Sequence, residues 1–275
     1  MTQPEVSILL CAYNASGYIR DAIESSIIQT FSDFELIVVD DGSTDNTVDL
    51  VQQFNDERIV LVKSHHCYIH SLNLGIDKCK GKYIARMDAD DIMVPTRIAT
   101  QVELMKHHPD ISVCTSWAQA FGLKDIVIGN SVHGEVENAE LLFLLGNYLV
   151  HPTSFIRRDF INHNSLRYKE YSYAEDYKLW TDIAGKGGKF YVIPKILLNY
   201  RISLLQATNK HRQEQINSSF RIQQELIETI INRQGPERKI IVNKLYDTLL
   251  ESFQAGIVAP QLVVNMMYKV LRGFQ

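Results

Sequence analysis

Apolar runs and helical stripes alternate over the first part of the chain. Val6–Leu10 (VSILL) is continuously apolar, the pattern of a parallel strand covered on both faces. Phe34–Val39, Ile59–Val62 and Tyr83–Met87 follow as further strands. Between them apolar positions recur at helical spacing, at Ile19, Ala22, Ile23 and Ile27, at Val48, Val51 and Phe54, and from Tyr68 to Cys79. Ser16 is placed to cap the first helix, Ser43 or Thr44 the second, and Gly81 to stop the third. Strand, helix, strand, helix in this order predicts a doubly wound, mostly parallel α/β sheet.

The middle of the chain is less regular. Pro95 suits the first turn of a helix running to about His108. Strands are expected at Ile111–Trp117, through Phe155 and Ile156, at Phe190–Ile193 and at Leu197–Tyr200, with helices at Asn138–Leu145 and Glu175–Ala184. After Arg201 the pattern becomes purely helical. Ile216, Phe220, Leu226, Ile227, Ile230 and Ile231 mark an amphipathic helix ended by Gly235-Pro236, and two more helical stretches follow. A boundary is expected near residue 205.

In doubly wound sheets ligands bind outside the carboxyl ends of the strands, where strand order reverses. Those ends carry Ala12-Tyr13-Asn14, Asp40-Asp41 and Asp88-Ala89-Asp90-Asp91. If the first strand lies between the second and fourth, all three clusters converge. Adjacent carboxylates repel unless a cation or several donors meet them. Asp88 and Asp90 are two apart and share a side of an extended chain. That spacing suits joint engagement of a divalent cation and its diphosphate ligand, since magnesium takes one or two carboxylates plus phosphates and manganese shares its taste for oxygen. Asp91 is expected to face away and make a structural hydrogen bond. Asp40 and Asp41 suit ribose hydroxyls or base N–H groups, and Asp40 equally suits a turn cap. The chain has no Gly-x-x-x-x-Gly-Lys-Ser/Thr loop and no Gly-x-Gly-x-x-Gly after the first strand.

The net charge of -4 gives no reason to expect nucleic-acid binding. No secretion signal or bilayer-length apolar run is visible, so the expected location is cytoplasmic, with peripheral contact at the inner face of the membrane left open. Cys11, Cys67, Cys79 and Cys114 form no Cys-x-x-Cys pair and read as reduced, packed thiols. His65, His66, Cys67 and His70 lie close in sequence, but their spacing matches no familiar zinc site.

Four ordered stretches carry a resemblance. VSILLCAYNASGYIRDAIESSIIQTFSDFELIVVDDGSTDNT, GKYIARMDADDIMVPTRI, HPTSFIRR and AEDYKLW together resemble the family-two, GT-A-fold nucleotide-sugar glycosyltransferases over Val6 to Arg201. The resemblance implies a GT-A domain over residues 1–204, with a nucleotide-sugar half to about 91 and an acceptor half from about 92, and a helical extension over 205–275. It implies an inverting transferase using a UDP-sugar or similar donor and a Mn or Mg ion. Carried over by position, Cys11, Ala12, Tyr13 and Asp41 line the nucleoside pocket, with Asn14, Asp40, Asn73 and Ala89 beside it. Asp88 approaches the ribose or diphosphate, Asp90 is the principal metal ligand and Asp88 its companion. Asp176 is the general base, with Glu175 as the alternative. The segment SHHCYIHSLNLGI departs from the family. Asn73 and Gly75 fit, but the upstream Asn and Gly are missing, and so is a phosphate-contacting basic residue near Cys67.

Several residues keep two readings. Tyr13 stacks on a nucleobase or simply packs. His151 and Trp180 belong to an acceptor pocket or to the core. Arg86, Arg157 and Arg158 are expected in structural ion pairs, with phosphate contact as the alternative. The tail from about Gln206 packs on the catalytic domain, forms a homodimer, or lies on a membrane bearing a lipid-linked acceptor, the last kept open by Arg238, Lys239, Lys244, Lys269 and Arg272. The expected function is transfer of a hexose to a hydroxyl of a glycan or lipid-linked glycan in bacterial surface polysaccharide synthesis. The rivals are a non-catalytic nucleotide-sugar-binding subunit, which would be expected to lose Asp90 or Asp176, and a nucleotidyltransferase, which would need a glycine-rich loop where CAYNASG stands.

Overall fold

A computed structural model describes residues 3–203 and 211–273, so the boundary expected near residue 205 lies outside the described residues. The chain runs β1 (Val6–Ala12), α1 (Ile19–Ile27), β2 (Phe34–Asp40), α2 (Thr47–Gln52), β3 (Ile59–Lys63), α3 (Tyr68–Lys78), β4 (Tyr83–Asp88), β5 (Ile92–Met93), α4 (Arg97–His107) and β6 (Ile111–Gly122). It continues through β7 (Ile126–Ile128), β8 (Gly134–Glu135), α5 (Ala139–Leu145), β9 (Phe155–Arg157), α6 (Arg158–His163), α7 (Glu175–Gly185) and β10 (Lys189–Ile202), then α8 (Arg212–Asn232), α9 (Pro236–Gln254) and α10 (Pro260–Arg272). The described residues form two compact units. One is drawn from Met1–Val136, Leu149–Glu170 and Gly188–Gln206, the other from Glu137–Tyr148, Tyr171–Gly187 and Ala207–Gln275.

The first unit is an α/β sheet in the order β3-β2-β1-β4-β9-β6-β10-β5, with β7 on β6 and β8 on β10. The pairs β3–β2, β2–β1, β1–β4 and β6–β10 are parallel, whereas β9 runs antiparallel between β4 and β6. The first strand therefore lies between the second and fourth. Register brings Ala12 level with Asp40 and Cys11 level with Asp88, so the polar clusters that end these strands meet at one sheet edge.

The apolar runs follow from burial on both faces. Val6, Ile8 and Leu10 share a core with Ile19 and Ile23 of α1 and with Ile98, Val102 and Met105 of α4. Leu9 points the other way, against α3, so closely that a Cβ on Gly75 would fall 2.3 Å from Leu9 Cδ1.

Several local expectations change. Tyr18, not Ser16, is the N-cap of α1, and Asn46 that of α2, neither with a side-chain cap bond. Ser16, Ser43 and Thr44 serve instead in a loop-to-loop network. The helix α3 ends at Cys79 as its C-cap, before Gly81. Gly81 is needed for close approach, because a Cβ there would lie 2.4 Å from the Ser7 backbone nitrogen, while its own N–H donates to Ser7 Oγ at 2.8 Å. The two short strands expected around Pro194 are one strand, β10, whose pairing with β6 slips between Ile193 and Ile196 and again before Leu198. Proline has no N–H to give the ladder, and the slip accommodates it. Past Trp117 the strand β6 continues, carried by the buried Ala118 and Ala120.

The second unit is helical. Asn138 caps α5 by accepting from Leu141 N at 2.9 Å. Trp180 of α7 is fully buried, as are Phe143 of α5 and Ile222 and Ile227 of α8. Gln223 donates to the Leu144 carbonyl at 2.9 Å, and Lys178 meets Glu225 at 2.8 Å. The apolar stripe of α8 is thus spent on packing with α5, α7, α9 and α10, although Ile216 at its start stays 45% exposed. No helix among the described residues is long and apolar enough to cross a membrane.

If close approach rather than helix termination fixes Gly81, Gly81→Ala destabilises the protein by about 1–3 kcal/mol. Urea unfolding measures this, and an unchanged midpoint would return Gly81 to the role of a simple stop.

Candidate active site

The loops that follow β1 and β2 are stitched together. Asn14 adopts a left-handed backbone with φ 47°, which Asn tolerates better than most residues. Its N–H donates to Ser43 Oγ at 3.0 Å and its Oδ1 accepts from Thr44 N at 2.8 Å. Ala15 N donates to Thr47 Oγ1 at 2.8 Å and Ser16 N to Asp45 Oδ2 at 3.1 Å. Partial desolvation works to raise the Asp45 pKa, but hydrogen bonds from Thr47 and Ser16 prevail and bring it down to about 2. Asn14, expected beside the nucleotide, spends its side-chain oxygen on this network.

Asp40 and Asp41 divide their work. Asp40 is buried and both its oxygens lie 3.3 Å from Ser43 N, the turn-capping arrangement. Asp41 is also buried, and its Oδ1 accepts from Cys67 N at 2.7 Å and Ser71 Oγ at 2.6 Å, tying β2 to the start of α3. Ala12 is buried beneath them, and its carbonyl accepts from Asp41 N at 2.8 Å. Tyr13 is 45% exposed and its ring stacks on His66 with centroids 4.1 Å apart. The unusual histidine segment thus supplies a ring against Tyr13. Among the described residues, Asp88, Asp90 and Asp91 are the group of three or more potential ligands that comes together.

Those three carboxylates each place an oxygen within 4.8 Å of the others. The alternation of an extended chain would turn Asp91 away. The strand ends at Asp88, however, and a turn brings Asp91 back. Asp91 makes the structural bond expected of it, its Oδ1 accepting from Arg201 N at 2.8 Å. Its Oδ2 is buried without a hydrogen-bond partner among the described residues. Burial, then the charge of Asp88, raises the Asp90 pKa to about 6, and burial with Asp88 and Asp90 raises that of Asp91. Uncompensated negative charge and an unsatisfied buried oxygen are what a divalent cation would relieve, so these residues fit one. Ala89, between them, is partly buried and packs on the core.

Cations back this loop. Arg86 of β4 is 3% exposed, ion-paired with Asp88, and donates to Tyr68 Oη at 2.8 Å. Burial alone would favour its neutral form, but Asp88 keeps it charged. Arg201 of β10 donates from Nε to the Asp90 carbonyl at 2.8 Å, with its guanidinium over the rings of Tyr18 and Phe121. Burial and the three acids push the Tyr200 phenol up. Burial, with Asp88 and Asp41 adding and Arg86 opposing, lifts the Cys11 thiol to about 12. Sequence reasoning left out Arg201 and Tyr200. The one available signal was that the last sheet strand ends in NYRI, and its register with the acidic loop comes only from the fold.

The remaining expected residues are dispersed. Asn73 bridges α3 to residue 168, donating to the Tyr168 carbonyl and accepting from Tyr168 N, both at 2.9 Å. His151 Nε2 lies 2.8 Å from Tyr168 Oη, and burial, aided by the charge of Arg86, depresses its pKa strongly, which fits a satisfied neutral imidazole. Arg157 and Arg158 differ from expectation. Arg157 donates to the carbonyls of Ile111, Met105 and His108, and Arg158 to that of Gly81, so both satisfy strand and helix ends rather than carboxylates.

In the second unit, Glu175 and Asp176 occupy the first turn of α7, where acidic side chains suit the helix dipole. Asp176 Oδ2 accepts from Asn147 Nδ2 at 2.8 Å and its Oδ1 from Tyr177 N at 2.7 Å. Asn147 was not anticipated. Trp180, one turn on, is fully buried, which removes it from any acceptor surface, because a ring with no exposed face cannot stack on a sugar.

Comparison with known proteins agrees with this geometry. The family model described as Glycosyl transferase family 2 matches residues 7–165. A Haemophilus influenzae protein described as an uncharacterized glycosyltransferase is 32% identical over 255 residues, covering 86% of this chain and 78% of its own. The Escherichia coli UDP-Glc:alpha-D-GlcNAc-diphosphoundecaprenol beta-1,3-glucosyltransferase WfaP is 32% identical over 186 residues, covering 67% of this chain and 72% of its own. Among solved structures, Staphylococcus aureus TarS 1-349 in complex with UDP-GlcNAc superposes with a TM-score of 0.69 at 17% identity, covering 91% of this chain and 73% of that one. The Pyrobaculum calidifontis mannosyltransferase PcManGT, in complex with GDP-Man and Mn2+, gives 0.62 at 14% identity, covering 98% and 87%. With the sheet order, the acidic strand end and more than half the chain matched by one family model, this protein belongs to glycosyl transferase family 2 and is a glycosyltransferase of the GT-A fold.

Proposed function

We propose that the chain is an inverting, metal-assisted glycosyltransferase that moves a hexose from a UDP-sugar to a hydroxyl of a glycan or lipid-linked glycan in surface polysaccharide synthesis. The observation that carries the donor half is the carboxylate cluster of Asp88, Asp90 and Asp91, with Asp91 Oδ2 buried and without a hydrogen-bond partner among the described residues. WfaP, by its name a UDP-glucose enzyme acting on a diphosphoundecaprenol-linked sugar, supports the donor and acceptor classes.

Asp90 and Asp88 would hold the ion, with Asp91 shaping the loop from behind. A bound divalent cation supplies Lewis-acid neutralisation of charge on a leaving diphosphate. The exposed ring of Tyr13 offers a stacking face for the base, and the stitched loops beneath it hold that face in place. Asp176 is assigned the proton of the acceptor hydroxyl. Its Oδ2 takes a hydrogen bond from Asn147, which orients the carboxylate. Displacement at the anomeric carbon passes through an oxocarbenium-like state. A single base, with no nucleophilic carboxylate, inverts the anomeric centre.

Asp176→Asn is expected to lower turnover by ~10²–10⁴ while UDP binding persists. Calorimetry beside an initial-rate assay separates the two, and wild-type turnover would take Asp176 out of the base role. Asp90→Asn is expected to abolish the Mn2+-dependent part of UDP-sugar hydrolysis at an unchanged melting temperature. The raised Asp90 pKa adds a pH signature. A protonated Asp90 has to release its proton before it can hold a cation, so Mn2+ affinity is flat above neutrality and weakens as pH falls through about 6. Mn2+ binding followed across that range checks the sign, and affinity that rises on acidification would contradict it.

A further inference from the structure

Arg86 is a buried cation inside the acidic site. Arg86 and Asp88 are two residues apart on β4 and share a face of the strand, which is how the guanidinium reaches the carboxylate. The position is fixed from several sides. Arg86 N donates to the Ser154 carbonyl at 2.9 Å, and the Arg86 carbonyl accepts from Arg97 Nη2 at 2.8 Å. Arg97 is itself fully buried and is held by Gln101 Oε1 at 3.0 Å, while Gln101 Nε2 donates to the Thr153 carbonyl at 2.8 Å. A guanidinium does not give up its proton in a protein. Its charge is therefore permanent, and so is its repulsion of any second cation, which low-dielectric surroundings strengthen.

We propose that Arg86 is a positioning residue that fills part of the cation's role at Asp88, holding the carboxylate loop together without metal and lowering metal affinity by sharing that carboxylate. The inference rests on the reading of Asp88 and Asp90 as the metal site. In consequence the protein alone binds a divalent ion weakly, and the negative charge of a nucleoside diphosphate is what offsets Arg86 and retains the ion. The ion then enters and leaves with nucleotide rather than staying resident.

The test compares binding of Mn2+ alone, counted by the electron paramagnetic resonance of the free ion, in wild type, Arg86→Met and Arg86→Lys. Removing the charge is expected to tighten Mn2+ binding by on the order of tenfold, while the lysine variant, which keeps the charge, stays within about threefold of wild type. The methionine variant is also expected to melt at a lower temperature without metal and to recover with Mn2+. Equal or weaker Mn2+ binding by folded Arg86→Met overturns the inference and leaves the metal reading standing. Wild type that binds no Mn2+, with or without UDP, removes the metal reading and this inference with it. Because a buried arginine variant can fail to fold, wild type labelled with 15N-arginine supplies a second readout, with Arg86 assigned from the lysine variant. Saturation with Mg2+ is expected to shift the Arg86 guanidinium resonance as its share of Asp88 is lost. A resonance that stays fixed at saturating Mg2+ overturns the inference independently of any substitution.

Discussion

Three carboxylates gathered at the end of one buried strand repel one another, and the surrounding structure is arranged to tolerate that repulsion. Each ion left in a poorly solvated place costs several kcal/mol unless it is paired or hydrogen-bonded. Arg86 meets the first acid from within the same strand, and Arg201 reaches the other two from β10 through a carbonyl and a backbone N–H. The strand order makes this possible. With β1 flanked by β2 and β4, and β10 reached through β9 and β6, one sheet edge collects acids from one strand and cationic support from another. Those acids would be a liability in a purely structural sheet. Here they are the group proposed to hold a cation.

The α5, α7 and C-terminal helices solve a different problem. Their stability is that of an ordinary helical core, with large side chains such as Trp180 and Phe143 removed from water and a few polar bridges such as Lys178 to Glu225. The base candidate Asp176 begins one of these helices, so a well-packed helix holds the residue, and Asn147 orients it. Catalytic groups set on regular elements are held more narrowly than groups on free loops.

Much of this was legible in the sequence because it follows from period and position. Continuous apolar runs marked strands covered on both faces, and polar clusters directly after them marked the sheet edge at which they meet. What escaped has physical reasons. Strands of two or three residues such as β5 and β8 carry no period. The turn after Asp88 reverses the side on which Asp91 lies, and no alternation rule describes a turn. Ser16, Ser43 and Thr44 have the composition of helix caps, but a neighbouring loop competes for their hydrogen bonds and wins. Arg201 and Asn147 matter only through partners far away in the chain. Partly buried Arg157 looks like an ion-pair residue by type, yet its guanidinium is spent on main-chain carbonyls.

The bonds that join the loops after β1 and β2 have a consequence for how such a protein can vary over time. Asn14 on one loop bonds to Ser43 and Thr44 on the other, Ser16 to Asp45, and Ala15 to Thr47 at the start of α2. An insertion in either loop alone would shift every donor past its acceptor and strand several polar groups at once. The two segments therefore behave as a single heritable module, free to exchange side chains that face outward but constrained to change length together or not at all.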